Sequence, residues 1–135
     1  MNSTFINELM GQLRKRGCAI NEPASDQDFA ILEANYGEIK NQYLIEMYKH
    51  FNGFQNYDYK SWMLAWKLAD INKFKPEYRL PQRYLPCCDF MINADIFSVA
   101  IDDETKPVLN ANGEEVATCF RNFWERLIEG SFDIR

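Results

Sequence analysis

The stretch from Tyr84 to Phe120 leaves this chain few folding options. Within it Phe97, Val99 and Ile101 fall on one side of an extended backbone, and Ser98, Ala100 and Asp102 on the other. A period of two built from β-branched and aromatic residues predicts a half-buried strand. The polar run Asp103, Glu104, Thr105 and Lys106, followed by Pro107, predicts a turn. Val108 and Leu109 resume a strand, and Asn112-Gly113 supplies residues that tolerate positive φ in a tight hairpin. Residues 114–118 are then the returning strand, with Val116 as its inward residue. The stretch therefore predicts one antiparallel sheet handed over to a helix. It contains no arrangement of catalytic type.

The chain before it reads as helices. Phe5, Ile6, Leu9, Met10 and Leu13 repeat at three and four, which predicts a helix over 4–16, stopped by Gly17. Ser25 opens a second helix, with Asp28 three residues on as an acidic capping box and Phe29, Leu32 and Tyr36 on its apolar side. A third helix carries Leu44, Ile45, Tyr48 and Phe51 and stops at Asn52-Gly53. Trp62, Leu64, Trp66 and Leu68, spaced by two, predict a further strand. Asp70 then caps a short helix from Ile71 to Phe74, and Pro76, Pro81 and Pro86 keep the approach to Tyr84 irregular. The last helix begins near Thr118, where Phe120, Phe123, Trp124, Leu127 and Ile128 form the clearest amphipathic stripe of the chain. Trp66 and Trp124 read as core.

With 135 residues, 47% of them apolar and 15% aromatic, the chain suffices for one core and is too apolar for disorder. The expected fold is α+β: one domain over 1–135, a mainly antiparallel five- to six-stranded sheet with helices packed on one side.

The formal charge of −5 argues against nucleic acid, whose binders present a basic face. The one basic cluster, Arg14-Lys15-Arg16, reads as the cationic last turn of the first helix. No apolar run approaches the ~20 residues of a membrane span. Residues Met1 to Thr4 lack the basic-then-apolar pattern of a secretory signal, so a cytoplasmic protein is expected. The four cysteines (Cys18, Cys87, Cys88 and Cys119) form no CxxC spacing and read as buried, reduced apolar residues.

Catalytic groups are not apparent. His50, the only histidine, lies on a helix whose other face is apolar and reads as structural. A Cys87–His50 nucleophile pair would need a depressed thiol pKa, and no basic residue adjoins the cysteines. Asp102, Asp103 and Glu104 read as a solvated turn, lacking the spacing of a calcium loop. No enzyme activity, metal or cofactor is expected.

The order of elements nevertheless resembles a known superfamily. The similar residues are Asp28 to Glu33 with Tyr36-Gly37, the Tyr43-to-Phe51 helix with Asn52-Gly53, Trp66-Lys67-Leu68 with Ile71, and Tyr84-Leu85-Pro86 with Asp89-Phe90. Ala94-Asp95 before a strand ending Ile101-Asp102, and Phe120 to Trp124, complete the set. Over roughly 25–130 the chain resembles the SUKH superfamily, which includes a fungal cell-wall synthesis regulator and many bacterial immunity proteins. Where that family commonly has a proline before its third helix, Asn41 stands here, and its glycine-rich step before the central strand is Met91-Ile92-Asn93-Ala94.

The resemblance implies a non-catalytic binding module, an antitoxin that docks on a cognate protein toxin, often a nuclease with a basic cleft. The alternative it implies is a regulatory scaffold for a cellular partner. An acidic chain suits a basic partner, since opposite potentials raise the association rate. The candidate acidic docking residues are Asp58, Asp89, Asp95, Asp102, Asp103, Glu104, Glu114 and Glu115. Tyr57, Tyr59 and Trp62 are the candidate aromatic anchors, with packing over the sheet as the competing role. Monomer and dimer both stay open.

Overall fold

A computed structural model describes residues 4–73, 83–92 and 94–133. Helix α1 (Thr4–Lys15) buries Ile6, Leu9 and Leu13, the stripe its periodicity predicts. Helix α2 (Asp26–Tyr36) starts on a complete capping box. Ser25 Oγ accepts from the Asp28 amide at 3.1 Å, and the Asp28 carboxylate accepts from the Ser25 amide at 3.1 Å. Helix α3 (Gln42–His50) is capped by Asn41, whose Oδ1 accepts from the Leu44 amide. The same buried side chain donates from Nδ2 to the Ala100 carbonyl at 2.8 Å, so the cap also fastens α3 to the sheet.

Five strands follow chain order as an antiparallel meander: β1 (Met63–Ala65), β2 (Tyr84–Phe90), β3 (Asp95–Ala100), β4 (Val108–Leu109) and β5 (Glu115–Ala117). Helix α4 (Leu68–Lys73) lies between β1 and β2, and α5 (Phe120–Glu129) follows β5. The expected α+β architecture is therefore present, with five helices and a five-stranded sheet among the described residues. Leu85 pairs with Val99 and Cys88 with Phe97, so Cys87 is the extra residue of a β-bulge. The bulge keeps Leu85, Cys88, Phe97, Val99, Met63 and Ala65 on one face. Helix α5 meets that face through Phe123, whose ring centroid lies 5.6 Å from that of Phe97. Phe120, Phe123, Trp124 and Leu127 are all buried. The cap of α5 is a thiol: Cys119 Sγ accepts from the Asn122 amide at 3.5 Å.

Several expectations need correction. The strand predicted on Trp62, Leu64, Trp66 and Leu68 is three residues long and has the opposite phase, with Met63 and Ala65 inward. The reason is the turn before it, where Trp62 takes φ +56° and offsets the alternation by one residue. Leu68 belongs to α4, which starts earlier than Asp70 predicts. The first-turn amide of Leu68 is satisfied by Asn52 Oδ1 at 2.8 Å, a cap supplied from a different element. Its predicted end at Phe74, with Pro76 and Pro81, lies outside the described residues, whereas Pro86 stands within β2 beside the bulge. Strand β3 is buried on both faces, since Ser98 and Ala100 are as enclosed as Val99. In β5 the inward residue is Ala117, opposite Val108, and Val116 is half-buried. Gly53 sits at φ +75°, where a Cβ would lie 2.5 Å from the Ala65 carbonyl oxygen, so only glycine lets this connector cross the end of β1.

Candidate functional site

The turn from Asp58 to Met63 is built by its own first residue. The Asp58 amide donates to the Met63 carbonyl, and the Trp62 amide to the Asp58 carbonyl. The Asp58 carboxylate accepts from Ser61 Oγ at 2.6 Å, from the Ser61 amide, and from Arg16 Nη2 at 2.9 Å. Arg16 reaches on to the Leu127 carbonyl and to Asp133, so it joins the end of α1, this turn and the end of α5. The basic cluster is thus divided: Arg14 and Lys15 occupy the last turn of α1, and Arg16 serves an internal ion pair. Asp89 is also enclosed. Its carboxylate accepts from Tyr57 Oη at 2.5 Å and from Trp66 Nε1 at 2.6 Å. Burial, then the bond to Asp89, pushes the Tyr57 phenol well above its ordinary pKa.

These contacts correct two of the docking candidates. Asp58 and Asp89 are 1% and 2% exposed, so neither carboxylate stands on the surface. Burial of a carboxylate requires partners of this kind, and each set includes one from a distant part of the sequence, Arg16 for Asp58 and Trp66 for Asp89.

The remaining candidates divide between the two ends of the sheet. At one end the β2–β3 hairpin carries Met91 and Ile92, and the Met91 amide donates to the Trp62 carbonyl at 2.9 Å. Trp62, Met91 and Ile92 are 36%, 46% and 70% exposed. All three have positive φ, at 56°, 51° and 56°. Left-handed backbone costs an ordinary residue about 1–2 kcal/mol, and a β-branched residue rarely adopts it. Asp95 closes the base of this hairpin opposite Phe90, and its Oδ1 accepts from the Ala111 amide, which brings the 110–114 turn alongside. Glu114, held by Asn110 Nδ2, and Glu115 extend the acidic edge there, both exposed. Tyr59, 52% exposed, lies in the same turn as Trp62.

At the other end, roughly 20 Å away along the six residues of β3, lie Asp102, Asp103 and Glu104. Asp102 pairs with Lys106 at 3.0 Å. Asp103 accepts from the amide and hydroxyl of Thr105, and these bonds hold its carboxyl below the usual carboxylate range. The turn is less solvated than its composition predicts, since Asp102, Asp103 and Glu104 are half-buried and Asp102 Oδ1 is enclosed without a hydrogen-bond partner.

Met91 and Ile92 were not among the expected contact residues. Their signal in the sequence is two large apolar residues in the short link between two predicted strands.

The reactive groups are placed unfavourably for nucleophilic chemistry. Cys87 and Cys88 are buried, and burial raises the Cys88 pKa well above the thiol range. Cys18 is pushed up to about 12, first by burial and then by Asp58. His50 Nδ1 lies 2.8 Å from the Glu46 carbonyl of its own helix. Of the four free thiols, Cys119 is the one only partly covered. Among the described residues, no three His, Cys, Asp or Glu side chains gather as a metal site requires, and no helix is long and apolar enough to cross a membrane. No family model and no curated protein sequence matches the chain.

Proposed function

We propose that this chain is a non-catalytic protein-binding module, an immunity protein that docks on a cognate protein toxin and blocks its active site. The observation that carries the reading is the Trp62, Met91 and Ile92 cluster, three large apolar side chains exposed together on left-handed backbone. Surface apolar residues in a cluster mark interaction sites, and strained backbone at such a place points the same way. Asp95 closes the base of the hairpin that carries Met91 and Ile92, and the chain as a whole carries −5, which favours a basic partner surface. The SUKH resemblance supports the antitoxin role and a cytoplasmic setting for it.

The test is co-expression with the toxin encoded beside the gene, followed by purification. A stoichiometric complex and rescued growth are expected, with both lost in the Trp62→Ser, Met91→Ser variant. Neither complex nor rescue would end the antitoxin reading. A complex without rescue, with a partner that is not a toxin, would favour a regulatory scaffold.

A further inference from the structure

A second surface, distant in sequence from the hairpin tip, has the chemistry of a peptide-anchoring groove. Helices α1 and α5 run together and leave between them a cleft of about 290 Å³. Phe5 and Leu9 line it from α1, and Trp124 and Ile128 from α5. Each pair sits four residues apart, so the apolar floor continues the inward stripe of both helices. The Nε1–H of Trp124 is buried and has no hydrogen-bond partner.

The rim decides what fits. Glu8, Glu125 and Glu129 border the cleft against a single guanidinium, that of Arg121. Arg121 is committed locally: it lies 3.5 Å from Glu125, donates to Tyr43 Oη, and stacks 4.7 Å from the Phe5 ring. Three carboxylates against one cation leave the rim two charges negative. A second copy of this acidic chain would bring like charges together there. A cleft of about 290 Å³ holds one large anchoring side chain.

We infer that the α1–α5 cleft docks a cationic segment of a protein partner, a single apolar or aromatic anchor flanked by lysine or arginine. This deepens the protein-binding reading and rests on it, but at a surface separate from Trp62, Met91 and Ile92.

The experiment uses the full chain and a library of random linear peptides, with selected sequences re-synthesised and titrated by NMR. The expected consensus is a bulky apolar residue beside basic ones. The expected shifts fall on the Phe5, Leu9 and Ile128 amides and on the Trp124 indole N–H. Reversing the rim in Glu8→Lys, Glu129→Lys, two exposed positions, weakens the selected peptide about tenfold at low salt and less at high salt. An acidic or purely apolar consensus, shifts mapping elsewhere, concentration-dependent shifts without peptide (a second copy in the cleft), or no enriched sequence would overturn the inference. If a toxin complex forms equally with the rim-reversed chain, the cleft assignment fails while the binding module stands. If no protein partner is found but basic peptides still seat in the cleft, the antitoxin reading alone fails.

Discussion

The two ends of the sheet are acidic in sequence and opposite in physical character. At the 102–106 turn every charged group but one finds a partner within four residues: Asp103 with Thr105, Asp102 with Lys106. Such a turn pairs most of its charge locally, the enclosed Asp102 Oδ1 being the exception. At the hairpin end Asp95 instead stands at the base of a turn whose apolar side chains are exposed, with Trp62 beside them, all on unfavourable backbone. That end depends on fastening from behind, because Trp62 is presented by a turn whose first residue is the buried Asp58. The contrast teaches that acidic composition does not identify a docking surface. What surrounds the carboxylates does.

The strongest way to break the comparison is to remove that fastening. Asp58→Ala leaves the Arg16 guanidinium enclosed without its main counter-charge, so unfolding free energy in a urea titration falls by about 3–5 kcal/mol. A loss under 1 kcal/mol would mean the apolar end stands without its buried ion pair.

The next effect is on association. Trp62→Ser with Met91→Ser weakens partner binding by about a hundredfold, as loss of anchoring aromatic and apolar contacts does, and changes stability by under about 0.5 kcal/mol. Asp102→Asn with Asp103→Asn leaves affinity unchanged within about twofold. Calorimetry on both variants reads the difference directly, and equal losses would erase the distinction between the ends.

Smaller still is the relief of strain. Ile92→Gly removes the penalty of left-handed backbone at a side chain that is 70% exposed, and raises stability by about 0.5–1 kcal/mol. A decrease would show that Ile92 packs inward.

The smallest effect is a titration. Hydrogen bonds from Thr105 lower the Asp103 pKa below 3.8. The folded value lies below the unfolded one, so the contribution is present above pH 3.8 and is withdrawn as pH falls through the folded value. NMR of the carboxyl carbon locates that midpoint, and Thr105→Val moves it back up.

How much of this was legible depended on the reach of each interaction. The α2 cap was readable because Ser25 and Asp28 are three residues apart, and the α5 stripe because it repeats within one helix. The phase of β1 was not, since it follows from the backbone of Trp62, which Asp58 and Met63 close into a turn. The α4 cap comes from Asn52, sixteen residues before Leu68, and no local pattern announces it. The candidate site divides in the same way. Trp62 is exposed, as an anchor has to be, whereas Asp58 and Asp89 were misread because Arg16 and Trp66, 42 and 23 residues away, enclose them.

Arg16 has one consequence for how the molecule is made. Each strand pairs with the one synthesised just before it, so the meander can assemble as it leaves the ribosome. The guanidinium near the start of the chain, however, takes partners 111 and 117 residues downstream. Until those emerge from the exit tunnel, Arg16 can grip only Asp58, and the first helix, already resting Phe5 on Tyr43 of α3, is latched at one of its two ends.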